Sequence, residues 1–169
     1  GNEVHSWFLY DNQDFLTFSD VIVHSDGEKY FIYKECLYGY SVLRLGDMAS
    51  MHYVPRGFVT PGEITMAIGE SFIMTDFYYS AENDMLAANG CFWACPSDVV
   101  AIDFKNPLEE PKMMLSIHEF MDPEYANDEW DDVIFKSWED NSLVVNVGDE
   151  QEAKCFTENL RIRIREFVN

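Results

Sequence analysis

The amino-acid sequence predicts a mostly β protein built from repeated antiparallel hairpins. Three observations lead there. Aromatic residues make up 15% of the 169 positions, and such side chains favour the pleated, half-buried surface of a sheet. Runs rich in β-branched and aromatic residues alternate with short turns of Asp, Glu, Asn and Gly, which is the pattern of a hairpin. One such hairpin recurs three times: Ser80 lies 55 residues after Ser25, and Ser137 lies 57 after Ser80.

The first unit runs from the strand Asp20–Ser25 through the turn Asp26-Gly27-Glu28-Lys29 to the strand Tyr30–Tyr33. The second runs from Asp76–Ser80 through Ala81–Asp84 to Met85–Ala88, and the third from Asp132–Ser137 through Trp138–Asn141 to Ser142–Val145. A further strand is expected after each hairpin, at Ser41–Leu45, Val99–Phe104 and Leu160–Ile164. The same spacing that aligns the serines sets Cys36 against Cys91. The units occupy about 20–48, 75–106 and 131–166 within a single domain, 1–169, a length that fits one hydrophobic core.

Two longer segments separate the units. Met48–Glu70 holds Pro55, Gly57, Pro61, Gly62 and Gly69 and reads as a loop with one short strand. Within Lys105–Asp131, the stretch Met113–Phe120 fits a strand or a short helix equally well. The C-terminus carries two periodicities. Phe156, Leu160 and Ile164 have helical spacing, whereas Leu160, Ile162 and Ile164 alternate with Arg161, Arg163 and Arg165 as a strand would. The repeat favours a strand there, with a C-terminal helix as the alternative.

The repeated pattern resembles the blades of β-propellers of the WD-repeat or TolB-like kind, in which a strand ending in Ser-x-Asp-Gly or similar opens a hairpin. Ser25-Asp26-Gly27 carries the match best. Ser80 keeps only the serine, Ser137 lacks the glycine, and Trp130-Asp131 does not follow a third strand. Propellers have typically about four to eight blades. With three units, the resemblance implies an open or partial propeller-like stack, or a sandwich.

Charge narrows the function classes. Against 31 Asp and Glu stand 11 Lys and Arg, a formal net charge of −20. Nucleic-acid binders gain affinity by neutralising phosphates, and this chain has the opposite sign. An anionic membrane surface would repel it too, and no apolar run reaches the length of a membrane span. A basic protein is the partner that the field would steer in; solubility alone is the plainer consequence of the same charge. Without a visible signal peptide the cytoplasm is favoured, although a chain that starts at Gly1 leaves prior removal of an export signal open. Phosphate-loop, dinucleotide-binding and Gly-x-Ser-x-Gly patterns are absent, so no cofactor is expected.

Two stretches are candidate binding sites. The first is Gly90-Cys91-Phe92-Trp93-Ala94-Cys95-Pro96, where Cys91, Phe92, Trp93 and Cys95 combine thiols with aromatic surface. Structural zinc takes four ligands in close pairs, and Cys36 and Cys155 are single and distant, so no metal is assigned. A Cys91–Cys95 disulfide, a cysteine nucleophile served by a histidine, and a packed aromatic loop with two thiols are the competing readings; the packed loop is preferred. The second is the acidic stretch holding Asp122, Glu124, Tyr125, Asp128, Glu129, Trp130 and Asp131, which contains no Lys or Arg. Its carboxylates suit calcium, but the calcium-loop spacing is missing. Interleaved aromatics would serve as anchors for a docked protein, and a solvated loop is the alternative. The three C-terminal arginines would form a basic ridge on a strand, neutralising nearby carboxylates or holding an anion.

No catalytic constellation emerges. The reading is a non-enzymatic protein-interaction module, with an acidic immunity or inhibitor protein that neutralises a basic toxin or nuclease as its specific form. The alternatives are a cysteine-centred enzyme or metal-binding protein, and a repeat fragment completed by self-association through its sheet edges.

Overall fold

A computed structural model describes residues 19–34, 38–54, 72–92, 94–121, 131–149 and 151–168. The first unit is β1 (Ser19–Val23), β2 (Lys29–Tyr33), β3 (Tyr40–Arg44) and β4 (Ser50–Tyr53). The second is β5 (Ile73–Ser80), β6 (Met85–Cys91), β7 (Ser97–Asp103) and β8 (Met114–Ser116), followed by α1 (Ile117–Met121). The third is β9 (Val133–Glu139), β10 (Ser142–Val147) and β11 (Gln151–Phe156), followed by α2 (Thr157–Val168). Each unit forms its own antiparallel sheet, ordered β1-β2-β3-β4, β5-β6-β7-β8 and β11-β10-β9. The described residues are thus mostly β, with two helices.

The turns follow from local chemistry. In the first hairpin Gly27 takes a φ of +87°, a conformation glycine adopts without steric cost. The Asp26 carboxylate accepts the Glu28 N–H at 2.8 Å, the side-chain turn bond typical of Asp. The second hairpin closes over Ala81–Asp84, with β5 and β6 on either side.

Two expectations are corrected. Trp138 and Glu139 belong to β9, so the third turn is only Asp140-Asn141, with Asp140 at a φ of 45°. The last strand of the third unit is Gln151–Phe156, and the segment Leu160–Ile164 lies inside α2. Burial explains the second correction. Leu160 and Ile164, four residues apart, are buried, while Ile162 between them is 45% exposed. That is one stripe of a helix; a strand would have buried all three. The arginines therefore form no ridge: Arg161 donates to the Asn83 carbonyl and Arg163 pairs with Glu166 at 3.8 Å. Met113–Phe120 resolves into both of its readings, a three-residue strand that runs straight into α1.

The second sheet lies between the other two. Leu86, Ala88, Val100 and Ile102 point to one face and pack with Tyr30, Ile32, Tyr40 and Val42 of the first sheet. Met85, Ala87, Val99 and Ala101 point to the other and pack with Val133, Leu143 and Val145 of the third sheet and with Leu160 and Ile164 of α2. Burial on both faces is why β6 and β7 read as nearly continuous apolar runs. Fully burying one such Leu, Ile or Val is worth about 1.5–3 kcal/mol. Helix α2 takes up, beside β7 and β8, the room that the three-stranded third sheet leaves.

Buried polar groups stitch the layers. Asn83, 7% exposed in the β5–β6 turn, donates to Ser80 Oγ at 2.9 Å and to the Asp140 carbonyl at 2.7 Å. Its Oδ1 accepts from the Thr157 hydroxyl at 3.0 Å. One side chain thus ties a turn of the second sheet to a turn of the third and to the start of α2. Asn89 Oδ1 accepts the Phe135 N–H at 2.9 Å, and Trp138 Nε1–H donates to the Tyr78 carbonyl at 3.0 Å. Gly90 permits a close backbone approach: a Cβ there would lie 2.1 Å from the Ile73 carbonyl oxygen and 2.4 Å from the Phe72 ring.

Candidate interaction surface

The site grows from the N-terminal end of β7. β6 ends at Cys91, which is half-buried, and the chain turns with the Cys95 N–H donating to the Phe92 carbonyl at 3.1 Å. Ala94 holds a φ of 59° in this turn, outside the range most non-glycine residues adopt. Phe92 packs edge-on against Phe72, ring centres 5.1 Å apart. Neither Cys91 nor Cys95 is in a disulfide. Trp93 lies outside the described residues.

β7 then opens with two residues that reach the neighbouring segments. The Ser97 N–H donates to Asp132 Oδ1 at 2.7 Å. Asp98, 6% exposed, accepts three hydrogen bonds: from Ser116 Oγ at 2.6 Å, the Val99 N–H at 2.7 Å and the His118 N–H at 3.2 Å. Burial pushes its carboxyl above the ordinary range, and these three bonds pull it back in part. Ser116 Oγ in turn accepts the Glu119 N–H at 3.1 Å. Ser116 and Asp98 together satisfy first-turn N–H groups that a helix start leaves without partners. Glu119, more open to solvent, is moved upward too, by partial burial of its carboxyl and then by the Asp98 charge.

The segments that flank the two candidate stretches therefore lie together. Asp98 holds α1, which leads into the acidic stretch, and Ser97 holds Asp132 where that stretch ends. Both anchors directly follow the Cys91–Pro96 loop. Asp131 is exposed beside Gly148. Asp122, Glu124, Tyr125, Asp128, Glu129 and Trp130 lie outside the described residues, as does Cys36.

Other polar clusters are more deeply set. His24, 4% exposed, donates from Nε2 to the Phe104 carbonyl at 3.0 Å and accepts the Asp26 N–H at Nδ1 at 3.3 Å. Tyr79 stacks on its ring at 5.5 Å and donates to Asp84 at 3.0 Å. This network joins the first and second sheets. Its only trace in the sequence is the His24-Ser25-Asp26-Gly27 run. The Ser41 hydroxyl and His52 Nδ1 share a hydrogen bond at 2.7 Å, a pairing of the nucleophile–base type. Ser41 is buried at 1% exposure, and a hydroxyl sealed in the fold does not meet a substrate. Burial pushes the Cys155 thiol up to about 11, away from the thiolate that a nucleophile or metal ligand requires. Among the described residues no three His, Cys, Asp or Glu side chains gather as a metal site, and no helix is long and apolar enough to cross a membrane. At the far end of β7 a cleft of about 510 Å³ is lined by Asp103, Glu109, Glu110, Lys112, Met113 and Arg165, among others. Arg165, one of the three C-terminal arginines, is among these residues, and Cys91 and Cys95 are not.

Comparison with protein-family models, curated proteins and solved structures gave no match.

Proposed function

We propose that this domain is a non-enzymatic binding module that docks a basic protein through its acidic surface. The observation that carries the reading is where the few cations are. Lys34 is buried and donates to the Met74 carbonyl, and Arg161 is held by the Asn83 carbonyl. Arg44, Lys136, Lys154 and Arg163 are paired with Asp47, Glu152, Glu139 and Glu166. The fold engages most of its own positive charge, so the excess of carboxylates behind the net charge of −20 acts outward. Such a field attracts and orients a basic partner.

We locate the docking surface at the N-terminal end of β7. Its support is the pair of anchors, Asp98 on α1 and Ser97 on Asp132, which join the cysteine-aromatic loop to both flanks of the acidic stretch. The same reading takes the three stacked meanders as blades of an open, propeller-like array. The Lys136–Glu152 and Lys154–Glu139 pairs across the third sheet suit the polar outer face of a terminal repeat.

The test is equilibrium binding of the purified chain to a panel of basic proteins, a nuclease among them, with acidic proteins as controls. Between about 0.01 M and 1 M salt the Debye length falls from about 30 Å to about 3 Å. Binding of basic members at the low end that vanishes at the high end supports the reading. Indifference to every basic protein at low salt refutes it.

A further inference from the structure

Strand β1 is the most open of the described strands, and its backbone phase shows what it can accept. Among the described residues β1 pairs only with β2. The His24 N–H bonds to the Glu28 carbonyl at 2.9 Å across the turn. In an antiparallel ladder bonded and non-bonded pairs alternate, so Ile22 and Asp20 bond to β2, while Ser19, Val21 and Val23 turn their N–H and C=O groups to the edge that no other described strand covers. Four of the other five edges among the described strands are treated differently. β5 has its Tyr78 carbonyl capped by Trp138, β9 its Phe135 N–H capped by Asn89, β8 packs beside α2, and β11 carries Glu152 and Lys154 in ion pairs. β1 instead presents Val21 and Val23, 50% and 57% exposed, on the face that carries their register partners Phe31 and Lys29. A single charge guards it: the Asp20 carboxylate folds back to accept the outward Val21 N–H at 2.7 Å.

We propose that β1 is the edge onto which an extended basic segment of the partner adds as a fifth strand. The proposal rests on the acidic-module reading above and gives the same partner a second contact, apart from the surface at the N-terminal end of β7. Strand addition supplies main-chain bonds, and alternate side chains supply selectivity. On one face, apolar guest residues cover Val21 and Val23. On the other, a Lys or Arg takes the Asp20 carboxylate and frees the Val21 N–H for the ladder. Charge complementarity selects this occupant over a second copy of the chain: antiparallel β1–β1 pairing would bring two Asp20 carboxylates together between two molecules each at −20.

The experiment titrates the full chain with a fluorescent peptide of alternating Val and Lys, about eight residues long, with a Val-Glu peptide as control and light scattering in parallel. Val21→Pro removes the outward donor at a position where an edge strand tolerates proline, and Asp20→Lys reverses the guarding charge. The wild type is expected to bind the Val-Lys peptide and not the Val-Glu peptide, and each variant to bind about tenfold more weakly. If Val21→Pro fails to fold, Val23→Lys tests the same edge. Equal binding by wild type and by the edge variants overturns the proposal while leaving the acidic-module reading intact. No binding of the peptide, with basic proteins still captured, does the same, and no binding of either removes both. A wild-type dimer that Val21→Pro dissolves assigns the edge to a second copy and also overturns the proposal.

Discussion

Asn83 is the side chain on which the stacking of the third unit most depends, and Asn83→Ala measures it. The substitution removes the donors to Ser80 Oγ and the Asp140 carbonyl and the acceptor of the Thr157 hydroxyl. A buried polar group left unsatisfied costs about 1–3 kcal/mol. None of the three orphaned groups incurs that cost in full, so the loss is that of three hydrogen bonds at about 0.5–1.5 kcal/mol net each. The Thr157 hydroxyl keeps the Asn141 carbonyl at 3.1 Å, Ser80 Oγ keeps the Asn83 backbone N–H at 3.3 Å, and Asp140 sits in an exposed turn where water reaches its carbonyl. The net expectation is about 2–3 kcal/mol. For a chain of this length that lowers the melting temperature by about 4–12 °C. The assay is urea denaturation followed by tryptophan fluorescence and, separately, by far-ultraviolet circular dichroism, with exposed Glu82→Ala as control. A loss for Asn83→Ala no larger than that of the control, below about 0.5 kcal/mol, would refute the claim that this residue couples the second sheet, the third sheet and α2.

Three further outcomes follow from the packing and the charges. Gly90→Ala places a methyl group against the Ile73 carbonyl and the Phe72 ring, so it should cost about 3 kcal/mol or more, seen as loss of the cooperative transition or a large fall in its denaturant midpoint. Asp98 has its carboxyl raised in the folded state, so the native state binds more protons than the unfolded chain, and stability falls as pH rises through the folded value and is regained on acidification. Urea midpoints should therefore fall as pH rises from the ordinary carboxylate range of about 4, and fall less in Asp98→Asn; an equal fall in both proteins would contradict the burial of this carboxylate. Cys155, 2% exposed with its thiol pushed up to about 11, should resist alkylation at neutral pH until the chain unfolds, as mass spectrometry of labelled peptides would show.

The sequence disclosed those parts of the fold that local patterns determine. The hairpin turns of the first two units and the strands that follow them sit where Asp26-Gly27, Ala81–Asp84 and the apolar runs Met85–Ala88 and Val99–Ile102 put them. The third unit misled because Leu160, Ile162 and Ile164 satisfy two periodicities, and only the neighbours that bury Leu160 and Ile164 decide between them. Trp138 looked like part of a turn because Asp and Asn follow it; its indole bond to the Tyr78 carbonyl, 60 residues away, keeps it in β9. The same distance hid the polar network. Nothing near His24 announces Phe104 or Asp84, and nothing near Asn83 announces Thr157, because these partners meet only when sheets stack. Of the candidate sites, the Cys91–Cys95 loop and the acidic stretch were visible as composition. That Ser97 and Asp98 hold both flanks of that stretch was not, since the bonds come from a backbone N–H and a buried carboxylate with no sequence mark.

The central claim is that negative charge recruits a basic partner, and the association rate tests it most directly. Stopped-flow mixing of the chain with a basic protein that it binds, over a range of ionic strength, separates steering from contact. The account predicts that the association rate falls steeply with added salt, by about 10-fold or more, while the dissociation rate changes little. An association rate that does not respond to salt would contradict it.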